Sequence, residues 1–354
     1  MKKRIKKLIP MLLLAAALLA VGLHQYHRRE GLRFVKTLGN GINLGNSLDA
    51  HGITKHKEKP SVEDFETYWQ NPPISAALLR AVKDAGFSLV RIPVTWEEHM
   101  DEAGLVDPLW MDRVETVVRQ ALELDLFVIL DTHHEAWLDL AENETKADAR
   151  FSKLWEQIGL RFSDCGEKLL FEGLNEPRLR GGELEWTGGD DALRERVNRL
   201  NRLFVSTVRA AGGENAQRYL LLAPYCHSTD AAAMAALELP DQHCIAAVHI
   251  YTPYRFCQKE DGPADWDPEG TDAARLNAVL EEMERCFTRR SIPVIVTECG
   301  CIDKQNEAAR ILWVQGLRAG AARCASPIVW WDDGGEFRLL NRETGAAFFP
   351  ELLR

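Results

Sequence analysis

Residues 74–93, ISAALLRAVKDAGFSLVRIP, carry a helical pattern into an Ala85-Gly86 stop and then into a short apolar run that holds one arginine, Arg91. Residues 108–131, PLWMDRVETVVRQALELDLFVILD, repeat the same order of events. A short run that is apolar on both faces reads as a strand of a buried parallel sheet, and the amphipathic stretch beside it as the helix that covers that sheet. Working outward from these two units, the rhythm extends along the chain. Strands are expected at 39–44, 88–93, 126–131, 168–173, 219–223, 245–250, 292–297 and 326–331. Helices are expected at 74–85, 108–124, 147–164, 190–211, 272–289 and 304–319, with a weaker one at 231–236. In 190–211, Leu193, Val197, Leu200, Leu203 and Phe204 form one apolar stripe. Ser75 and Asp107-Pro108 read as helix starts, Ala85-Gly86 and Ala319-Gly320 as helix stops.

Eight strands alternating with helices predict an α/β fold, a (β/α)8 barrel forming a single domain. An open doubly wound sheet would carry a glycine-rich phosphate loop after its first strand. The run Gly39-Asn40-Gly41-Ile42-Asn43-Leu44-Gly45 lacks that spacing and no Walker lysine follows it. The long connections 45–73, 132–146, 174–189 and 251–271 all follow strand C-termini, the face where barrel enzymes keep their chemistry. No Ser/Thr/Pro linker divides the chain, so residues 30–354 are expected to be one catalytic domain.

Composition narrows the function. With 354 residues, 46% hydrophobic and 27% charged, the chain can bury a full core without disulfides. The formal charge is −10, and more negative still once the five basic residues of the MKKRIKK head are set aside. That disfavours nucleic acid as a partner and leaves a neutral ligand open. Eight cysteines are too few for a disulfide scaffold, although one or two bridges could form after export. Cys299-Gly300-Cys301 has no second pair at zinc spacing. At the N-terminus, MKKRIKK precedes the uncharged run LIPMLLLAAALLAVGL, residues 8–23. Residues 1–29 are therefore expected to be a signal peptide or an uncleaved membrane anchor, placing the catalytic part outside the cytoplasm.

Polar residues cluster where the strands end. Arg91 lies in VRIPV, His133 and His134 follow VILDT, and Asn175 and Glu176 follow LFEGL. His249 and Tyr251 end VHIY, Glu298 ends VIVTE, and Trp330 and Trp331 end IVWW. Charged groups inside an ordinary barrel core would be costly to desolvate, whereas at a strand's C-terminal end they reach the central cleft. Glu176 and Glu298, on the fourth and seventh strands, can face each other across the mouth. Such a pair suits glycosidic cleavage: one carboxyl protonates the leaving oxygen and the other attacks the anomeric carbon. Trp96, Trp137, Trp186, Trp266, Trp330 and Trp331 fall near the strand-end loops, where flat indoles would face sugar rings. Trp69, Trp110, Trp155 and Trp313 read as packing.

Taken in order, GINLGNSLDA, NPPISAALLRAVKDAGFSLVRIPVTW, VILDTHHE, FEGLNEPR, VHIYTP, VTECG and WWDDG resemble glycoside hydrolase family 5, and most of all its endo-β-1,4-glucanases. The resemblance runs from about Gly39 to Gly335. It implies Glu176 as general acid/base, Glu298 as nucleophile and Asn175 as the ligand of the substrate 2-hydroxyl. It implies that Arg91 and Tyr251 keep the nucleophile ionised and oriented. His133 and His249, with His134 beside them, would line the −1 sugar site, and Trp331, with Trp330 as the alternative, would be its platform. Ile42 stands where many relatives carry tryptophan, and the loop 174–189 is rich in glycine.

The implied function is retaining hydrolysis of cellulose-like or mixed-linkage β-glucan by a monomer, with no cofactor and no metal. Xyloglucan or mannan is the alternative substrate, and a non-catalytic glycan-binding barrel the alternative of another class. A zinc hydrolase would have to draw on His133, His134, His249 and Glu298, which lack helical H-E-x-x-H spacing.

Overall fold

Eight parallel strands close on themselves in chain order, the first pairing with the last through Gly41 opposite Val329 and Asn43 opposite Trp331. The strands of this computed structural model, which describes residues 30–141 and 143–353, are β1 (Gly41–Leu44), β2 (Leu89–Ile92), β3 (Phe127–Asp131), β4 (Leu169–Glu172), β5 (Leu220–Leu222), β6 (Cys244–Ile250), β7 (Val294–Cys299) and β8 (Ile328–Asp332). Around them lie α1 (Ala76–Asp84), α2 (Pro108–Glu123), α3 (Glu144–Arg161), α4 (Asp191–Ala210), α5 (Ala231–Ala236), α6 (Thr271–Cys286) and α7 (Glu307–Arg323). This is the expected (β/α)8 barrel. The segment expected to be a signal or anchor, 1–29, lies outside the described residues.

Local chemistry sets the boundaries. Ser75 accepts the backbone N–H of Leu78, and Asp107 accepts that of Leu109 ahead of Pro108. Strands β7 and β8 begin later than expected because Pro293 and Pro327 have no N–H for the ladder. Helix α3 starts at Glu144 because the Asn143 side chain caps Lys146. Helix α7 runs through Ala319-Gly320, where a stop is expected from the sequence. A Cβ at Gly320 would lie 2.2 Å from Leu280 Cδ1, so this glycine serves close packing of α7 on α6.

Strand parity sorts the core into two parts. Outward residues such as Ile42, Val90, Val128, Phe171, Leu222, Val248 and Trp330 pack under the helices. Inward residues Leu89, Ile129, Leu170, Leu221, Ala247, Ile295 and Val329 fill the barrel's lower interior. Residues 30–38 are helical and close that end with Phe34, Val35 and Leu38, Phe34 stacking on Tyr219 at 3.9 Å. Two residues further along β2, β3, β4, β6 and β8, the inward positions become Arg91, Asp131, Glu172, His249 and Trp331. The upper layer of the barrel is thus polar, resting on an apolar plug.

All eight cysteines are buried and carry free thiols. The disulfides allowed for in the sequence are not formed.

Because Phe34 caps the apolar layer and does not reach the polar one, Phe34→Ala is expected to cost about 3 kcal/mol of stability. Calorimetry would read this as a fall in Tm, with kcat on a soluble substrate unchanged at a temperature where the variant is folded.

Candidate active site

Arg91 is completely buried and bonds in five directions at once. Its Nε donates to Glu172 Oε2 at 2.5 Å, and Nη1 donates to Glu298 Oε1 at 2.7 Å and to Asn43 Oδ1 at 3.0 Å. Nη2 donates to Asn175 Oδ1 at 2.9 Å and lies 2.7 Å from Asp131 Oδ2. From Asp131 and Asn175 the bonds close into a ring. His133 Nδ1 lies 2.8 Å from Asp131 Oδ2, and Asn175 Nδ2 lies 3.4 Å from His133 Nε2. Since Asp131 Oδ2 and Asn175 Oδ1 already accept from Arg91, His133 donates through Nδ1 and accepts through Nε2. Burial first, then Arg91, holds His133 well below the usual histidine range, so it is neutral.

Glu298 reaches the barrel interior through an irregularity. Val248 pairs with Val296, but His249 pairs with Glu298, so Thr297 is an extra residue in β7. Strict alternation from the inward Ile295 would have turned Thr297 inward and Glu298 out; the bulge re-aims the carboxylate. Asn43 Nδ2 donates to the Thr297 carbonyl at 3.0 Å. Tyr251 Oη donates to Glu298 Oε2 at 3.0 Å, so both carboxylate oxygens have a donor.

Glu176 sits just beyond β4, with φ +45°, a left-handed conformation that costs a non-glycine residue roughly 1–2 kcal/mol. Its Oε1 lies 3.1 Å from His249 Nδ1, which is also 3.5 Å from Glu298 Oε2. One oxygen of each glutamate and a ring nitrogen of His249 all fall within 4.8 Å of one another. On its other side, Arg178 Nη1 donates to Glu176 Oε2 at 3.3 Å.

Burial, with Glu176 nearby, pushes Glu298 up to about 8 against the pull of Arg91 and Tyr251. Two carboxyls this close disfavour ionising together, and that repulsion adds to the effect of burial on Glu298. Arg91 and Tyr251 both donate to Glu298 and favour its ionised form. Burial also places His249 well below the usual histidine range, leaving it neutral between them.

Of the tryptophans, Trp331 is half-buried, with its indole parallel to His133 at 5.5 Å and packed over Gly45, where a Cβ would come within 2.6 Å of the ring. Trp330 is not part of the cleft, correcting the alternative the sequence left open. It is one residue out of phase, buried outside the barrel, with its Nε1 donating to the Phe337 carbonyl and its ring edge-on to Trp313. Trp96 and Trp266 are buried as well, whereas Trp186 is 65% exposed under the Arg178 guanidinium. Trp69, expected to be packing, joins a row of rings instead: His133, His134, His51 and Trp69 follow one another at 4.5, 4.8 and 4.9 Å.

The four ligands of the zinc reading separate. His133 and His134 group with Asp49, and His249 and Glu298 with Glu176. Arg91, 2.7 Å from both Asp131 and Glu298, would repel a cation. Sequence reasoning missed Asn43, Asp131, Glu172, His227, His51 and Arg178. For Asp131 and Glu172 a signal existed: each is a carboxylate inside an otherwise apolar strand.

Residues 53–335 match the family model described as cellulase, glycosyl hydrolase family 5. The chain belongs to glycosyl hydrolase family 5. It is 38% identical over 331 residues to Endoglucanase B of Ruminococcus albus, covering 90% of this chain and 78% of that one. A GH5-4 broad specificity endoglucanase from Ruminococcus champanellensis with bound cellotriose superposes with a TM-score of 0.86 at 35% identity, over 91% of this chain and 96% of that one. A family 5 xyloglucan-specific endo-β-1,4-glucanase from a metagenomic library, also in complex with cellotriose, gives 0.86 at 33% identity, over 92% and 98%.

The upward push on Glu298 sets a pH dependence. kcat/KM on a soluble cello-oligosaccharide is expected to fall on the acid side already well above the ordinary carboxylate range, as Glu298 takes up a proton and stops acting as a nucleophile. A rate that stays level down to the ordinary carboxylate range would refute that upward shift.

Proposed function

We propose that Glu176 and Glu298 cleave internal β-1,4 bonds of glucan by double displacement, with Glu176 as acid/base and Glu298 as nucleophile. The chain is a retaining glycoside hydrolase of the endo-β-1,4-glucanase type. The observation that carries the assignment of residues is the close approach of the two carboxyls, within 4.8 Å at one oxygen each. That suits direct attack on the sugar. Inverting enzymes hold the pair roughly 6.5–9.5 Å apart to admit a water between carboxylate and anomeric carbon.

In the first step Glu176 gives its proton to the glycosidic oxygen while Glu298 bonds to the anomeric carbon, and the aglycone departs as an alcohol. Loss of the Glu298 charge then removes what favoured protonation of Glu176. Glu176 takes a proton from water, the water oxygen attacks the anomeric carbon, and Glu298 leaves as carboxylate. Asn175, fixed by Arg91 and His133, faces the 2-hydroxyl. Trp331 supports the −1 ring, and the row His134, His51 and Trp69 continues the glucan surface away from the cleaved bond. Trp186 and Arg178 lie on the side of the leaving chain.

Cellulose-like and mixed-linkage glucans are the proposed substrates, with xyloglucan as the second reading because one similar structure is a xyloglucan-specific enzyme. A polymer of this size does not cross a membrane, which supports export directed by the basic and apolar head of residues 1–29. Among the described residues no helix is long and apolar enough to span a membrane. Fractionation and intact mass of the native product test this part: full-length protein in the soluble cytoplasm would refute it.

Product anomers test the roles. With an activated aryl β-cellobioside and azide, Glu176→Ala is expected to give the β-glycosyl azide, because the covalent intermediate still forms and the small anion fits the space left. Glu298→Ala should form no covalent intermediate and should yield, if any azide product, the α anomer. The reverse pattern by NMR would exchange the two assignments, and unimpaired polysaccharide hydrolysis in both variants would place the site elsewhere.

A further inference from the structure

A buried ionisable side chain bonded to the acid/base has no task in the mechanism. His227 follows β5, is completely buried, and uses both ring nitrogens. Its Nδ1 accepts the backbone N–H of Glu176 at 2.9 Å. Its Nε2 lies 2.9 Å from Glu172 Oε1. A backbone N–H can only donate, so Nδ1 carries the lone pair and Nε2 the proton, which it donates to Glu172. Glu172 in turn accepts from Arg91 through its other oxygen. The ring also stacks on His249 at 4.0 Å and 16°.

The backbone around this contact is unusual on both sides. Glu176, Cys226 and His227 have φ of +45°, +56° and +49°, and none is glycine. Four bonds join the two loops: Glu176 N–H to His227 Nδ1, Cys226 N–H to the Pro177 carbonyl at 2.8 Å, Leu179 N–H to Tyr225 Oη at 3.2 Å, and Tyr225 Oη to the Leu184 carbonyl at 3.0 Å. Only the first reaches the residue that moves the proton.

We propose that His227 is a positioning residue for acid catalysis, linking Arg91 and Glu172 to the backbone of Glu176 and holding that backbone in the left-handed turn from which the carboxyl reaches the glycosidic oxygen. This rests on the assignment of Glu176 as acid/base. The Glu298 side of the site has its own supports in Arg91 and Tyr251, so loss of His227 should disturb proton delivery and leave nucleophilic attack in place.

The test compares leaving groups. kcat/KM is measured for aryl β-cellobiosides from dinitrophenyl to unactivated phenyl, for wild type, His227→Ala, His227→Asn and Glu176→Ala, with Tm for each. His227→Ala is expected to lose on the order of tenfold to a hundredfold on the unactivated substrate and little on the dinitrophenyl one, steepening the dependence on leaving-group pKa. Asparagine tolerates the left-handed region, and its Oδ1 can take the place of Nδ1 as acceptor. His227→Asn should therefore recover most of the loss on the unactivated substrate. A purely structural role would lower all substrates alike, and that result, or no loss on any, would overturn the proposal. If Glu176→Ala itself shows no steeper dependence, the acid/base assignment fails and the proposal with it. A steep dependence for Glu176→Ala beside a flat one for His227→Ala removes only His227.

Discussion

A single guanidinium inside a barrel organises everything above it. Arg91 is wholly buried and faces three carboxylates, Asp131, Glu172 and Glu298, at 2.7, 2.5 and 2.7 Å. Removing a charge of this kind from water is costly, and the cost is offset only where every donor is matched. Here the matching partners are the residues that the chemistry needs. Glu172 is drawn below the usual carboxylate range despite its burial, because Arg91 and His227 both act on it. Asp131 is pushed up to about 7 by the same burial, Arg91 only partly countering it. Cutting out the arginine would leave up to three carboxylates in a closed space, so the array stands or falls as a unit.

The fold was legible because parallel strands buried on both faces and amphipathic helices leave unmistakable periods. The same period carried more than was taken from it. Leu89 and Arg91, Ile129 and Asp131, Leu170 and Glu172, Ala247 and His249, Val329 and Trp331 are each two residues apart, apolar below and polar above. Following that parity from any one of them identifies Asp131 and Glu172 and separates Trp331 from Trp330. The bulge at Thr297 is different. It depends on register against β6 and on Asn43 binding the displaced carbonyl, contacts between residues some 254 positions apart that no local pattern contains. His227, His51 and Trp69 belong to connecting segments, which have no period to follow, so their approach to the site becomes visible only once the barrel has closed.

The two glutamates are mounted differently because their tasks differ. A nucleophile must be ionised when it attacks, and Glu298 has donors that favour this on both oxygens: it sits on a strand, side chain 7% exposed, one oxygen on Arg91 and the other on Tyr251. An acid/base must lose and regain a proton in each cycle, and a place in the buried Arg91 array would resist the protonated half of that cycle. Glu176 is accordingly just off its strand, and its side chain does not touch Arg91; Asn175, one residue earlier, takes that contact instead. The guanidinium it does touch, that of Arg178 at 3.3 Å, is shared with Glu185 and the Trp186 face. The Glu176 side chain is 21% exposed, which gives water a path to it in the second half of the reaction. The left-handed turn at Glu176 is the backbone's means of stepping off β4 within four residues of Glu172 while still pointing the carboxyl back toward Glu298. A residue left in the strand at that height would have joined the Arg91 array and lost the freedom to change charge.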